Sequence, residues 1–535
     1  MSTCAEVVAR TLREAGVETV FGLPGGEILD LCEACRKEGV SFVLTRHEAV
    51  AAFMADVTGQ ITRRPGVCVS TLGPGAMNLL LGVASAYLER SPVLAISGQL
   101  SNEASPYCTH QRIDIPALFE PVTKWNTVLD GENTGEKVKD AIAIATEQRM
   151  GPVHITLPAD VARKQDGVSG LREAHGGVQA PSLDEGLLET AVRELKQSTH
   201  PLIVIGVGID PVHDAEIVNE FVEKTRIPVM ATPKAKGIVP ESNPLYLATA
   251  GGMAGDRLVV EFLERVDLVV GIGFDPVESD KMWHKDKRIL SIDTATTADG
   301  AYAPSLELVG DVGSILSKVL DTYEARHTWE EEELQAFKDR MIAELEPPAV
   351  VSPGGLSPYH VILKLRQLLS PGTVLTTDVG AHKLLVGQLW KSYEPLTFFM
   401  SNGLSSMGYG LPAAMAAKLQ FPNRDVVSVC GDGGFLMVLQ DLETAVRLQL
   451  SLVCIVFCDR KLGLIEVVQK KRRYPSYGIE FGDTDLAKVA EGFGAYGVNV
   501  NSLEELEAAV VEGLKKRKPV VIAVPVDPDE YQRQM

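Results

Sequence analysis

Long apolar runs are missing from this sequence. No stretch of about 18 consecutive apolar residues occurs, so no membrane-spanning helix is expected. Basic residues are outnumbered: 51 Lys and Arg against 71 Asp and Glu leave a net charge of −20. Phosphate backbones and anionic membrane surfaces need a basic face, so neither nucleic acid nor a membrane is expected as a partner. Cysteine is scarce, with eight scattered along 535 residues, and several lie in apolar runs (Cys68, Cys430, Cys454). The spacing Cys32-Glu-Ala-Cys35 has no second pair to complete a zinc site and falls in a helix-like stretch, so packing is the better reading. The N-terminus lacks the basic-then-apolar pattern of a signal peptide. It reads as an amphipathic helix, with Val8, Leu12 and Ala15 on one side and Gly16 as its stop. The expected location is the cytoplasm.

What is present is an ordinary globular composition, 45% hydrophobic and 23% charged, on a chain too long for one core. Short β-rich runs alternate with helical patterns throughout. That alternation predicts an α/β protein of three doubly wound parallel-sheet domains. The first, 1–163, holds "VETVFGLPGG", "SFVLTRHE", "GVCVSTLGPG", "PVLAISGQ" and "PVHITLPAD". A polar, glycine-rich linker (163–186) leads to the second, 185–340, with "LIVIGVGID", "DLVVGIGFD" and "RILSID". After "PPAVVSPGG" the third, 355–535, holds "TVLTTDVGAH", "DVVSVCGDGG", "LVCIVFCD" and "PVVIAVPVD". Each strand ends in a Gly, Asp or Pro turn. In open α/β sheets the ligand sits beyond the strands' carboxyl ends, so the chemistry is expected in those turns.

Two turns of the third domain stand out. The run Val426, Val427, Val429 stops at Gly431-Asp432-Gly433-Gly434. A helix-like pattern comes next, with Phe435, Leu439, Leu442 and Val446 on one face. The following apolar run ends at Asp459, 27 residues after Asp432. That interval suits a strand, a helix and a return to a parallel neighbour, placing both carboxylates on one sheet edge. Two hard oxygen ligands beside open backbone suit Mg²⁺ carrying a phosphate. The glycines let the N–H groups of Gly434 and Phe435 approach phosphate oxygens. A pair of turn-forming aspartates is the plainer alternative.

Gly431-Asp432-Gly433, followed by "CDRKLG", resembles the signature of the thiamine diphosphate-dependent enzymes. The resemblance covers essentially the whole chain, in the order pyrimidine-binding, central and diphosphate-binding domain. It implies that Mg²⁺ is held by Asp432, Asp459 and the backbone oxygen of Lys461. Many relatives have Asn-Asn where this chain has Cys458-Asp459; the added charge is one a divalent cation can neutralise. In "TRHEAVAAFMADVTGQITRRPGVCVSTLGPGAMN" it implies that Glu48 contacts N1′ of the cofactor's aminopyrimidine. A carboxyl there favours the imino tautomer, whose nitrogen takes the proton from thiazolium C2, and a Glu in a poorly hydrated pocket suits that task. In "SNGLSSMGYGLPAA" the resemblance makes Met407 the prop of the bent cofactor and the Ser405 carbonyl an acceptor for the 4′-amino group. Gly380, Ala381 and His382 of "TTDVGAHK" join Gly431, Gly433, Gly434 and Phe435 around the diphosphate. Gly25 is assigned to the same cofactor surface.

Within that family the chain looks closest to the flavin-free, catabolic acetolactate synthases, in the wider acetohydroxyacid synthase and 2-oxo acid decarboxylase group. "THQRIDIPALFEPVTKW" carries His110-Gln111, where synthases have a Gln pointing at the reacting centre. Pyruvate-type decarboxylases have two adjacent histidines there. The central domain reads "GFDPVESDKMW" instead of a flavin-type stretch, and its GxG elements lack a dinucleotide fingerprint. FAD is therefore not expected. The Trp by which anabolic synthases favour 2-oxobutyrate is missing, with Val467 and Gln469 in that region. The implied reaction is decarboxylation of a 2-oxo acid such as pyruvate and transfer of the acyl unit to a second 2-oxo acid, giving 2-acetolactate, with Gln111 and His110 orienting the acceptor. The implied assembly is a homodimer or homotetramer with active sites in the interface. Two rivals stay open: a non-ligating decarboxylase, lyase or acyltransferase on the same cofactor, and a catalytically silent regulatory protein. Retention of Glu48, Asp432 and Asp459 together argues against the second.

Overall fold

A computed structural model describes residues 2–167, 183–278, 287–297, 302–324, 327–348 and 355–534. Most of the linker read at 163–186, the segment 349–354 and the end of "GFDPVESDKMW" lie outside the described residues. Among the described residues eighteen strands form three six-stranded sheets, parallel throughout, as the alternating pattern predicts. The first contains β1 (Thr19–Leu23), β2 (Ser41–Leu44), β3 (Gly66–Ser70), β4 (Val93–Gln99), β5 (Trp125–Val128) and β6 (Val153–Pro158), in the order β2-β1-β3-β4-β6-β5. The second contains β7 (Pro201–Ile205), β8 (Val229–Ala231), β9 (Tyr246–Thr249), β10 (Leu268–Ile272), β11 (Ile289–Asp293) and β12 (Leu306–Val309), in the order β12-β11-β10-β7-β8-β9. The third contains β13 (Val374–Thr377), β14 (Phe398–Met400), β15 (Val426–Gly431), β16 (Val453–Cys458), β17 (Tyr496–Asn499) and β18 (Val520–Pro525), in the order β14-β13-β15-β16-β18-β17.

The first and third sheets thus share one strand order although no sequence repeat is visible. In both, the chain reverses direction across the sheet between the first and third strands, β1/β3 and β13/β15. In the second sheet the reversal falls between β7 and β10. Such switch points leave a crevice at the strands' carboxyl ends.

The chain divides into two compact units. The first comprises Met1–Val178, Ser401–Pro422 and Val438–Leu450. Its core sets Val20, Val67, Val69, Leu94, Ile96 and Ile155 against Val8 and Leu12 of the N-terminal helix Cys4–Glu14. Thr3 caps that helix and Gly16, at φ 81°, ends it. The second unit holds the other two sheets, whose central strands are buried on both faces and so read as unbroken apolar runs.

One local expectation changes. The helix-like pattern of Phe435, Leu439, Leu442 and Val446 is spread over three pieces: a helix Asp432–Met437, a 3₁₀ turn Leu439–Asp441 and a helix Leu442–Arg447. The break falls at Val438, where the chain passes into the first unit and Asp441 turns its carboxylate to the Arg46 amide.

Candidate active site

In the second unit, the β13/β15 switch point gathers most of the residues expected around a diphosphate. Asp432, 5% exposed, begins the turn after β15. Its Oδ1 accepts from Gly433 N and its Oδ2 from Arg460 N, each at 2.8 Å. Asp459 directly follows the adjacent strand β16, and its Oδ1 accepts from Lys461 N at 3.2 Å. Burial raises the Asp432 carboxyl above its ordinary value. Burial, and then the Asp432 charge, push Asp459 up to about 7. Lys461 forms an isolated antiparallel bridge with Glu480. Its hydrogen bonds run from Leu462 N to Ile479 O and from Phe481 N to Arg460 O, so the Lys461 carbonyl points away from the bridge. Among the described residues no three His, Cys, Asp or Glu side chains converge as a metal site. A cation here would therefore draw on the two aspartates and backbone oxygen.

The turn after β13 lies against the same spot. A Cβ on Gly434 would lie 2.8 Å from the Asp378 carboxylate. A Cβ on Gly431 would lie 3.1 Å from His382 Cε1, and one on Gly380 2.9 Å. The chain needs glycine at these three places to bring the turns together. His382 follows Ala381 at the start of the helix Ala381–Leu389 and is 4% exposed. Its ring hydrogen-bonds the Asp378 backbone, burial pushes it down to about 4, and its Nε2 is buried with no partner. Phe435 is fully buried beneath the turn.

The first unit gathers the remainder at the β1/β3 switch point and beside it. Glu48 opens the buried helix Glu48–Thr62 and is 4% exposed. Asn78 Nδ2, from the helix Pro74–Leu88, donates to Glu48 Oε2 at 3.0 Å. A Cβ on Gly75 would lie 3.2 Å from Glu48 Oε1 and 2.9 Å from Thr71 Cγ2. Gly25 faces the same Thr71, where a Cβ would lie 2.3 Å from Oγ1. Gln111, at φ 56°, leans on Gly73, while Gln111 and His110 both sit exposed in a turn-rich segment. Ser405, at φ 53°, and the half-buried Met407 lie on the segment Ser401–Pro422. Glu89, 2% exposed, fixes that segment by accepting from Asn402 N at 2.6 Å and Gly403 N at 2.8 Å.

At the switch point of the second sheet the turns after β7 and β10 lie in contact. Gly208 N donates to Gly273 O at 2.7 Å, and a Cβ on Gly206 would lie 2.7 Å from Phe274 Cα. The carboxylate of Glu278, 3% exposed, accepts from Val207 N at 2.8 Å, Thr232 Oγ1 at 2.8 Å and Lys234 N at 3.3 Å. All eight cysteines are free, and burial pushes the Cys32 and Cys35 thiols up to about 11 and about 12.

Sequence reasoning missed Asn78, Thr71, Glu89 and Asp441. Asn78 offered a signal, a lone amide in the apolar helix "PGAMNLLLGVASAYL". Glu89 offered another, the first charge after that helix. Thr71 and Asp441 act through chain segments distant in sequence, and no local pattern marks them.

Three family models match in the order of the sheets: Thiamine pyrophosphate enzyme, N-terminal TPP binding domain, over 2–118; the central domain over 188–319; and the C-terminal TPP binding domain over 378–524. The chain is 34% identical to an acetolactate synthase of Bacillus subtilis over 98% of its own length and 93% of the relative's. It is 31% identical to a catabolic acetolactate synthase of Raoultella terrigena, covering 98% and 95%. It is 32% identical to a probable acetolactate synthase large subunit of Methanocaldococcus jannaschii, covering 98% and 92%. The strand-end carboxylates, the glycine turns and these full-length matches agree, and the chain belongs to the acetolactate synthase-like family of thiamine diphosphate-dependent enzymes.

Proposed function

We propose that the protein is a thiamine diphosphate- and Mg²⁺-dependent carboligase. It removes CO₂ from a 2-oxo acid, pyruvate first, and joins the remaining acyl unit to a second 2-oxo acid, giving 2-acetolactate or a related 2-hydroxy-3-oxo acid. The observation that carries the reading is the Asp432–Asp459 pair. Two neighbouring carboxylates, of which Asp459 is pushed up to about 7 by burial first and then by the Asp432 charge, are a donor set that a divalent cation relieves. The likeness to proteins named acetolactate synthase supports the acceptor.

The residues present fit the cofactor. Asp432, Asp459 and the Lys461 carbonyl hold Mg²⁺. The backbone of Gly431, Gly433, Gly434, Phe435, Gly380 and Ala381 admits the diphosphate, and the orphaned His382 Nε2 meets a polar group there. Gly25, Ser405, Met407 and Glu48 receive the aminopyrimidine. When bound, thiamine diphosphate would supply a carbon nucleophile for the keto group and a sink for the electron pair left by CO₂. Glu48 holds a proton at the pyrimidine N1′. Asn78 engages Glu48 Oε2, and Gly75 leaves room beside Oε1. Gln111 and His110 orient the acceptor. No flavin belongs to this proposal: the central domain has "GFDPVESDKMW" in place of a flavin-type stretch, and its GxG elements lack a dinucleotide fingerprint. The working assembly is a homodimer or homotetramer with its sites at the interface, in the cytoplasm.

The purified protein, given thiamine diphosphate, Mg²⁺ and a panel of 2-oxo acids, should release 2-hydroxy-3-oxo acids identified by mass spectrometry. Aldehydes as the only products would replace the carboligase with a decarboxylase. No turnover with any 2-oxo acid would reject both.

A further inference from the structure

We propose that Asp441 is a positioning residue for Glu48, anchoring the turn that delivers this carboxylate to the cofactor. The inference rests on the role proposed for Glu48 and adds a group that does not touch the reacting atoms. Asp441 lies nine residues after Asp432, yet belongs to the first unit with Glu48. It is fully buried. Its Oδ1 accepts from Arg46 N at 2.7 Å and from Thr444 Oγ1 at 2.9 Å. Arg447 Nη2, one turn on, donates to Leu44 O. The backbone from Leu44 to Arg46 is thus held at two points.

The chain between this anchor and Glu48 is short and has little freedom. His47 is extended (φ −150°, ψ 139°), and its Nδ1 accepts from Ala49 N at 3.1 Å, capping the helix that begins at Glu48. Thr45 Oγ1 donates to His47 O at 3.1 Å across the same turn. The anchored amide therefore lies two residues from Glu48, and the cap between them sets where the helix starts. Asp441 Oδ2 is buried with no partner. A half-satisfied carboxylate in the interior lowers stability, so its presence here is not accounted for by folding alone. The backbone amide it holds is the one that fixes the Glu48 turn. A side-chain placement error of about 1 Å in an acid–base group is enough to slow catalysis about 100-fold.

Amide hydrogen exchange on the protein without cofactor reads the anchor directly. The wild-type Arg46 amide should be strongly protected. In Asp441→Ala the amides from Arg46 to Val50 should exchange about tenfold faster or more, with β3 unchanged. With thiamine diphosphate and Mg²⁺ bound, Asp441→Ala should lower kcat and exchange of the cofactor's C2 proton together by about tenfold or more, leaving the KM for thiamine diphosphate within about threefold. Asp441→Asn keeps the acceptor oxygen and should restore both, a split that mere weakening of the fold does not produce. The wild-type amide measurement needs no variant, so it decides the matter even where Asp441→Ala does not fold. A freely exchanging Arg46 amide overturns the anchor, and so does a folded Asp441→Ala with wild-type C2 exchange. Glu48→Gln, run alongside, separates the two readings. Normal C2 exchange in that variant removes the role of Glu48 itself; slow exchange there with normal exchange in Asp441→Ala removes only the anchor.

Discussion

The amide of Arg460 donates to Asp432 Oδ2 at 2.8 Å, so the residue directly after Asp459 is bonded to the other strand-end carboxylate. The ends of β15 and β16 are tied by the protein's own backbone, and the two acids are held as neighbours at that edge. An oxygen site losing either acid binds a divalent cation more weakly. Asp432→Ala and Asp459→Ala should each raise the Mg²⁺ concentration needed to bind thiamine diphosphate by about tenfold or more, roughly one lost charge-assisted contact. Titration calorimetry reads this. Unchanged titrations in both variants would remove the metal assignment.

Glu48, the proposed acid, falls in the first compact unit of the chain, and Asp432 and Asp459, the proposed metal ligands, fall in the second. If each site combines the first unit of one subunit with the second unit of its partner, Glu48→Gln and Asp432→Ala are defects in opposite halves. Mixing the two inactive proteins under conditions of subunit exchange should then recover part of the activity, because some hybrid sites carry neither defect. No recovery after exchange has been demonstrated by mass spectrometry would place both halves of the site in one chain.

In the second unit, the Lys236 and Glu241 side chains are 0% and 5% exposed and pair at 2.6 Å. Ser392 N, before β14, donates to the same glutamate at 3.1 Å, and Lys236 Nζ lies 5.4 Å over the Phe398 ring. The pair thus joins the chain after β8 to the start of β14. Lys236→Met leaves Glu241 buried and unpaired and should cost about 3–5 kcal/mol. Lys236→Met with Glu241→Leu removes both charges and should cost clearly less. Urea unfolding of the three proteins tests this; a double variant as damaged as the single would show that packing, not charge pairing, holds the joint.

Asp441 also predicts a pH dependence. Burial raises its carboxyl from 3.8 to about 6, against the pull of the Arg46 amide, Thr444, His47 and Arg46. A group whose folded value is raised favours folding while protonated, and that contribution is lost as pH rises from about 4 to about 6. Asp441→Asn carries no such charge. Its stability relative to wild type should therefore climb over that window by up to about 3 kcal/mol and stay level above it. Unfolding temperatures of the two proteins across pH decide it, and a constant difference would contradict the assignment.

Much of this architecture is legible in the amino-acid sequence. The twelve strands read as apolar runs are there, because strands buried on both faces need continuous Val, Ile and Leu. β5, β8, β9, β12, β14 and β17 escape that reading; each is three or four residues long, and all but β8 lie at a sheet edge, where one flank needs no apolar partner. Asp432, Asp459 and the glycine turns are legible because backbone approach demands residues of fixed kind at fixed spacing. His382 is visible as a type, but its burial is not. The contacts of Glu89 and Asp441 join segments more than 300 residues apart, and no periodicity encodes such a pairing.

A carbon balance on pyruvate distinguishes carboligation from simple decarboxylation. With thiamine diphosphate and Mg²⁺ but no other acceptor, the purified enzyme should consume two pyruvate for each CO₂ released and for each 2-acetolactate formed, followed by ¹³C NMR. Release of one CO₂ for every pyruvate, with acetaldehyde accumulating instead, would rule out carboligation.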